Sequence, residues 1–158
     1  MANYTATLDN SRKSVLSNQE RAMGFTHKYN IKYTDIDDDS ATSTGDTITV
    51  ALGNTPTDFV ILKAMVNVTT AFAGGGTLTV DVGFDGDEDN LINLKSVTAV
   101  GPIIELAGAA PVTVAGTYAA AADALQAHFI NSSSSNPAAL TAGELDIYLG
   151  MISANNIG

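Results

Sequence analysis

The chain has no cysteine and no tryptophan, and only two histidines, His27 and His128. Without cysteine there are no disulfides and no thiolate metal ligands. Two histidines far apart in sequence leave little material for imidazole chemistry. Aromatic residues make up 6% of the chain, few for a sugar-binding platform. Lys and Arg number 7 against 17 Asp and Glu, a formal charge of −10. That balance disfavours nucleic acid, because phosphate binding requires cations to displace counterions. No apolar run approaches the roughly 20 residues that span a bilayer. The opening Met1-Ala2-Asn3-Tyr4-Thr5 lacks the basic start and apolar stretch of a secretory signal. The expectation is a soluble protein made in a cytoplasm, with no membrane partner.

The charge is unevenly placed. Residues 1–34 carry Arg12, Lys13, Arg21, Lys28 and Lys32 against Asp9 and Glu20, a net +3. Residues 35–158 carry two cations against fifteen acids, a net −13. A basic arm on an acidic body suggests that the arm meets a different surface from the body. The plainer reading is a loose tail.

The 158 residues fit one domain with an arm. Residues 1–44 read as arm and linker, and 45–158 as the domain. Within the arm, Ser17-Asn18-Gln19-Glu20 matches the S-x-x-E capping box, which predicts a short helix near 18–23 that Gly24 ends. Tyr29, Ile31 and Tyr33 alternate with polar residues, a half-buried strand pattern. Asp35-Ile36-Asp37-Asp38-Asp39-Ser40 reads as the start of a solvated linker.

From Asp46 the pattern is repeated β-structure. Thr47 to Leu52 alternates, and 58–70 is rich in β-branched residues and reads as a long or bent strand. Gly74-Gly75-Gly76 breaks it. Leu78, Val80, Val82 and Phe84 then alternate, followed by an acidic loop at 85–90. Short apolar segments at 91–97, 102–106 and 112–115 lie between turn signals. Residues 118–130 are ambiguous between helix and strand, and 124–130 is read as a strand. Glu144 to Ile152 closes the set. Strands at this spacing predict an all-β antiparallel β-sandwich, jelly-roll-like, with an extended N-terminal arm. The expected core is Ile48, Val50, Phe59, Ile61, Val66, Val68, Leu78, Val80, Val82, Leu145, Ile147 and Leu149.

Asp85, Asp87 and Asp89 stand at i, i+2 and i+4, as in the first half of a calcium loop. An EF-hand is rejected, because Asn90 replaces the required glycine and Ser96 the bidentate glutamate. A looser calcium site on these three carboxylates competes with a solvated acidic loop. Asp35, Asp37 and Asp39 share the spacing and read as a solubilising linker. No G-x-S-x-G elbow is present, and Ser132 to Ser135 is a small polar loop rather than an activated nucleophile. Gly74-Gly75-Gly76 lacks the Lys and Ser/Thr of a phosphate loop. The sequons at Asn67 and Asn131 are read as chance. These readings point away from an enzyme and invoke no catalytic residue.

The run Thr69-Thr70-Ala71-Phe72, the glycines, Thr77 to Gly83 and the Asp85-Gly86-Asp87 loop resemble small virion proteins of tailed phages. Ala142 to Tyr148 resembles their last strand. The resemblance spans about 45–152 and implies a β-sandwich assembling on a particle surface, often as trimers. It offers no catalytic residues. The expected function is a capsid decoration or cement protein that binds the major capsid protein as a homotrimer. The alternative is a receptor- or carbohydrate-binding module of a tail fibre or baseplate. In the leading reading Arg12, Lys13, Arg21, Lys28 and Lys32 meet an acidic shell, and Tyr29, Ile31 and Tyr33 add a strand to a neighbour's sheet.

Overall fold

The computed structural model describes residues 3–7, 15–36, 46–55, 59–105, 117–119, 124–133 and 139–153. Ten strands and two short helices follow in chain order: β1 Asn3–Thr7, α1 Asn18–Ala22, β2 His27–Lys32, α2 Tyr33–Ile36, β3 Thr47–Asn54, β4 Phe59–Ala73, β5 Thr77–Phe84, β6 Asp87–Ser96, β7 Gly101–Glu105, β8 Thr117–Ala119, β9 Ala124–Ser133 and β10 Ala142–Ser153. They form two sheets. The first has the order β1-β3-β9-β5-β6; the second has the order β2-β10-β4-β7, with β8 also on β4. All pairings are antiparallel except β1 on β3, which is parallel. The fold is an all-β sandwich.

The pairing is nested. β5 and β6 form the innermost hairpin around Asp85-Gly86. Outside it β4 pairs with β7, then β3 with β9, then β2 with β10. Two further contacts, β10 on β4 and β9 on β5, join these layers within each sheet.

Alternation decides which residues enter the core. Leu78, Val80 and Val82 of β5, Ile48 and Val50 of β3, and Leu145, Ile147 and Leu149 of β10 are buried between the sheets. Burial of each such aliphatic side chain is worth about 2 kcal/mol. Every expected core residue is buried in this cluster except Phe59, which packs against it half-buried. Phe72 and Phe129 fill the space between the sheets with ring centroids 5.8 Å apart.

Three expectations are corrected. The boundary at residue 44 does not follow the sheets, because β2 pairs with β10 in register from Lys28↔Tyr148 to Lys32↔Glu144. Tyr29 and Ile31 enter the common core, so residues 27–36 belong to the body. The supposed solvated linker begins with α2, whose Ile36 is buried, while the Asp35 carboxylate accepts the Lys32 amide at 2.7 Å. The acidic loop at 85–90 shrinks to a two-residue turn, and Asp87–Asn90 is the first part of β6. The apolar segment expected at 112–115 lies outside the described residues.

Candidate functional site

The outward face of the second sheet carries a dense set of side-chain interactions among the described residues. In β2, Lys28 and Asn30 point outward opposite Tyr29 and Ile31; in β10, Asp146 and Tyr148 do the same opposite Leu145, Ile147 and Leu149. Over this face folds α1. Its start is the expected capping box: the Ser17 hydroxyl accepts the Glu20 amide at 3.2 Å, and the Glu20 carboxylate accepts the Ser17 amide. After α1, Gly24 takes φ +79°, a conformation that suits glycine, and the chain turns back over the sheet.

Phe25 then drops onto Tyr148 and Met65, with the Phe25 and Tyr148 rings 5.3 Å apart and Leu16 beside them. The Lys63 ammonium lies 4.6 Å from the Phe25 ring centroid and donates to the Met23 carbonyl. Lys28 Nζ is 3.3 Å from Glu20 Oε1 and 3.0 Å from Asp146 Oδ2. The Tyr148 hydroxyl donates to Glu20 Oε1 at 2.7 Å, with Asp146 Oδ2 3.2 Å away. Asn30 Nδ2 donates to Glu144 Oε1 and Asp146 Oδ1, each at 2.9 Å.

This network shifts its members' titration. The Tyr148 hydrogen bond, then the Ser17 amide, hold Glu20 down at about 2. Burial pulls Lys28 down, but Tyr148 and Asp146 outweigh it and hold the ammonium above its ordinary value. Burial and the bond to Glu20 push Tyr148 up to about 12. At neutral pH the Glu20 carboxylate, the Lys28 ammonium and the neutral Tyr148 phenol thus form a clamp between α1 and the sheet.

Beside the clamp is a groove of about 640 Å³. Val15, Leu16 and Phe25 give it an apolar floor, and Arg21, His27 and Lys28 rim it with positive charge or its precursor. Val15 is 84% exposed. Arg21 is exposed and has no ion-pair partner among the described residues.

The residues expected to dock on a partner thus divide. Tyr29 and Ile31 are core residues of this chain's own sandwich, on the strand at the edge of the second sheet. Tyr33 packs half-buried against the core, and Lys28 is held in the clamp. Arg21 and Lys32 are exposed. Arg12 and Lys13 lie outside the described residues. Asp85, Asp87 and Asp89 are all exposed; Asp87 Oδ2 accepts Asn90 Nδ2 at 2.7 Å and Asp89 accepts Asn93 Nδ2. Among the described residues no three carboxylate or imidazole groups converge as cation ligands would.

A second polar feature was not legible in the sequence. On the outer side of the first sheet, Thr49, His128 and Asp81 stand in register across β3, β9 and β5, and all three are buried. Thr49 Oγ1 lies 3.1 Å from His128 Nδ1, and Gln126 Oε1 lies 3.0 Å from Nε2. A neutral ring with its proton on Nε2 satisfies both contacts. Burial lowers the His128 pKa against the partly offsetting charges of Glu88 and Asp85. Burial also raises Asp81, opposed by its hydrogen bond from the Leu94 amide. At the Asp81 end β6 bulges against β5 and lies so close over Gly83 that a methyl group there would overlap the Asp87 carbonyl. The bulge puts Leu94 at φ +44°, 58% exposed. Alternation marks Asp81 as outward-facing, but nothing in the sequence announces that a bulged strand will fold over it.

Comparison with protein-family models and with curated proteins finds no match to this chain.

Proposed function

We propose that this chain is a structural protein of a phage particle, a decoration or cement module that binds the outer capsid surface and stabilises it as a homotrimer. The observation that carries the reading is the nested strand pairing. A ribbon paired β5–β6, β4–β7, β3–β9 and β2–β10, then closed by β10 on β4 and β9 on β5, supports reading the sandwich as jelly-roll-like. That architecture recurs in viral capsid and lectin domains. The resemblance of 45–152 to small virion proteins points to the same class.

The partner is the major capsid protein. Many weakly held copies on one lattice stabilise it through avidity. The exposed cations Arg21 and Lys32 are suited to an acidic shell, and the reading calls for no cofactor. A virion surface is the corresponding location.

The jelly-roll order, together with the groove beside α1, also favours a second reading, a carbohydrate- or receptor-binding module of a tail fibre or baseplate. Against it, Phe25, Tyr29, Phe72, Phe84, Phe129 and Tyr148 are buried and Tyr33 and Phe59 half-buried, rather than exposed as a sugar platform.

The test is to add purified protein to phage particles lacking it and to locate it by electron microscopy while following the heat resistance of the shell. Regular coverage with raised heat resistance is the expected result. Absence of binding, or density at one vertex only, overturns the capsid reading, and a specific glycan-array hit moves the assignment to the second.

A further inference from the structure

The two exposed features that the clamp and the core leave unused are complementary to each other. One is the groove beside α1, with its apolar floor of Val15, Leu16 and Phe25 and the exposed Arg21 at its rim. The other is the β5–β6 tip. There Asp85, Asp87, Glu88 and Asp89 are all exposed, and Leu94 stands out of the same strand. Positive φ is rare for a branched aliphatic residue, and its cost is ordinarily met where the position has a task. Here the Asp81 carboxylate accepts the Leu94 amide, which fixes the backbone that presents the exposed side chain.

We propose that copies of this chain associate head to tail, the acidic β5–β6 tip of one copy seating Leu94 and its carboxylates in the α1–β2 groove of the next. The inference rests on the self-assembly part of the reading above and not on the shell. Charge complementarity selects a second copy as occupant. Among the described residues Arg21 lines the groove, exposed and outside the ion pairs of the clamp, while Asp85 of the turn and Asp87, Glu88 and Asp89 of β6 are all exposed at the tip. A cation-rimmed apolar groove and an acid-flanked leucine on one chain give a heterologous contact, which closes into a ring when the rotation permits. The expected trimer is such a ring. Because much of the attraction is between exposed charges, it weakens as salt screens them.

Sedimentation velocity on the full chain, over a concentration series at low and high salt, tests this. The wild type is expected to associate, and at least tenfold more weakly at high salt. Val15→Asp blocks the groove and Leu94→Asn blunts the tip, and each is expected to weaken association at least tenfold. Neither should unfold the protein, since Val15 is exposed and asparagine adopts positive φ more readily than leucine. Leu94→Asn should match or exceed the wild type in urea resistance while losing association, a pairing that a merely structural Leu94 would not give. An equimolar mixture of the two variants keeps one intact contact per pair and should stop at heterodimers. A wild type that stays monomeric at low salt and the highest soluble concentration overturns the inference, as does association that neither variant weakens. Assembly by this route without binding to any particle supports the inference and overturns the capsid reading alone.

Discussion

Tyr148 and Glu20 lie 128 residues apart and are joined by a 2.7 Å hydrogen bond, the phenol donating to the carboxylate. The contact ties α1, near one end of the chain, to the strand nearest the other. It also sets the charge state of the whole clamp, because it is the largest influence holding Glu20 near 2.

Tyr148→Phe keeps the ring on Phe25 and removes only the donor. The expected cost is about 1 kcal/mol of stability. The Glu20 carboxyl should move up toward its ordinary 4.5, read by side-chain NMR titration. The sign follows from the depressed value: Glu20's contribution is complete above 4.5 and is lost as pH falls through about 2. Glu20→Gln should therefore flatten the acid limb of the stability curve across that window. An unchanged acid limb would show that the clamp contributes nothing to stability.

Ile31→Ala separates an arm from a body strand. Ile31 is fully buried, with Leu145 as its partner across the β2–β10 ladder. Truncation should cost about 2–5 kcal/mol of global stability in urea. A silent substitution would mean that β2 is not part of the cooperative unit.

Asp81 is a buried carboxylate whose hydrogen-bonded partner is a backbone amide. Its pKa is raised, so its protonated form is favoured on folding, and the advantage present below 3.8 is lost as pH rises through the higher folded value. Asp81→Asn keeps an acceptor and removes the charge, and should be neutral or stabilising at pH 7. Asp81→Ala orphans the Leu94 amide and should cost about 1–3 kcal/mol. Chemical denaturation of the two variants side by side checks the order, and Asn less stable than Ala would refute it.

His128 acts in the opposite pH direction. Its folded pKa lies below 6.5, so the unfolded chain takes up the proton first, and stability should fall as pH drops below 6.5. Protonation also makes Nδ1 a donor, and the Thr49 hydroxyl must then turn to accept. His128→Gln should remove the slope in urea midpoint between pH 7 and 5.5; equal slopes in the two proteins would exclude this role.

The sheets were legible in the sequence where period-two patterning is strong. Leu78-Thr79-Val80-Asp81-Val82 and Leu145-Asp146-Ile147-Tyr148-Leu149 assign both strand and face, and the Ser17–Glu20 spacing assigns α1 with its cap. The partner of β2 was not legible. Tyr29 and Ile31 reveal a half-buried strand, but pairing across more than a hundred residues is decided by shape and register rather than by local pattern. For the same reason composition alone split the chain at residue 44. The acidic run from Asp85 looked like a loop because charge and β-structure compete in local propensity, and pairing with β5 decided the matter. Of the residues expected to dock, Arg21 and Lys32 are exposed. Local charge could not show that Lys28 is already matched by Glu20 and Asp146.

The placement of β10 between β2 and β4 has a consequence for synthesis. The strand at the middle of the second sheet is translated after both of its neighbours. Until the ribosome has released residues through Ser153, β2 and β4 have no surface in common, α1 lacks Tyr148 to hold it, and the core lacks Leu145, Ile147 and Leu149. The second sheet is completed only once β10 has been made, so products that terminate before it keep β4 with β7 but lack the strand that joins β2 to β4, and cannot form the clamp.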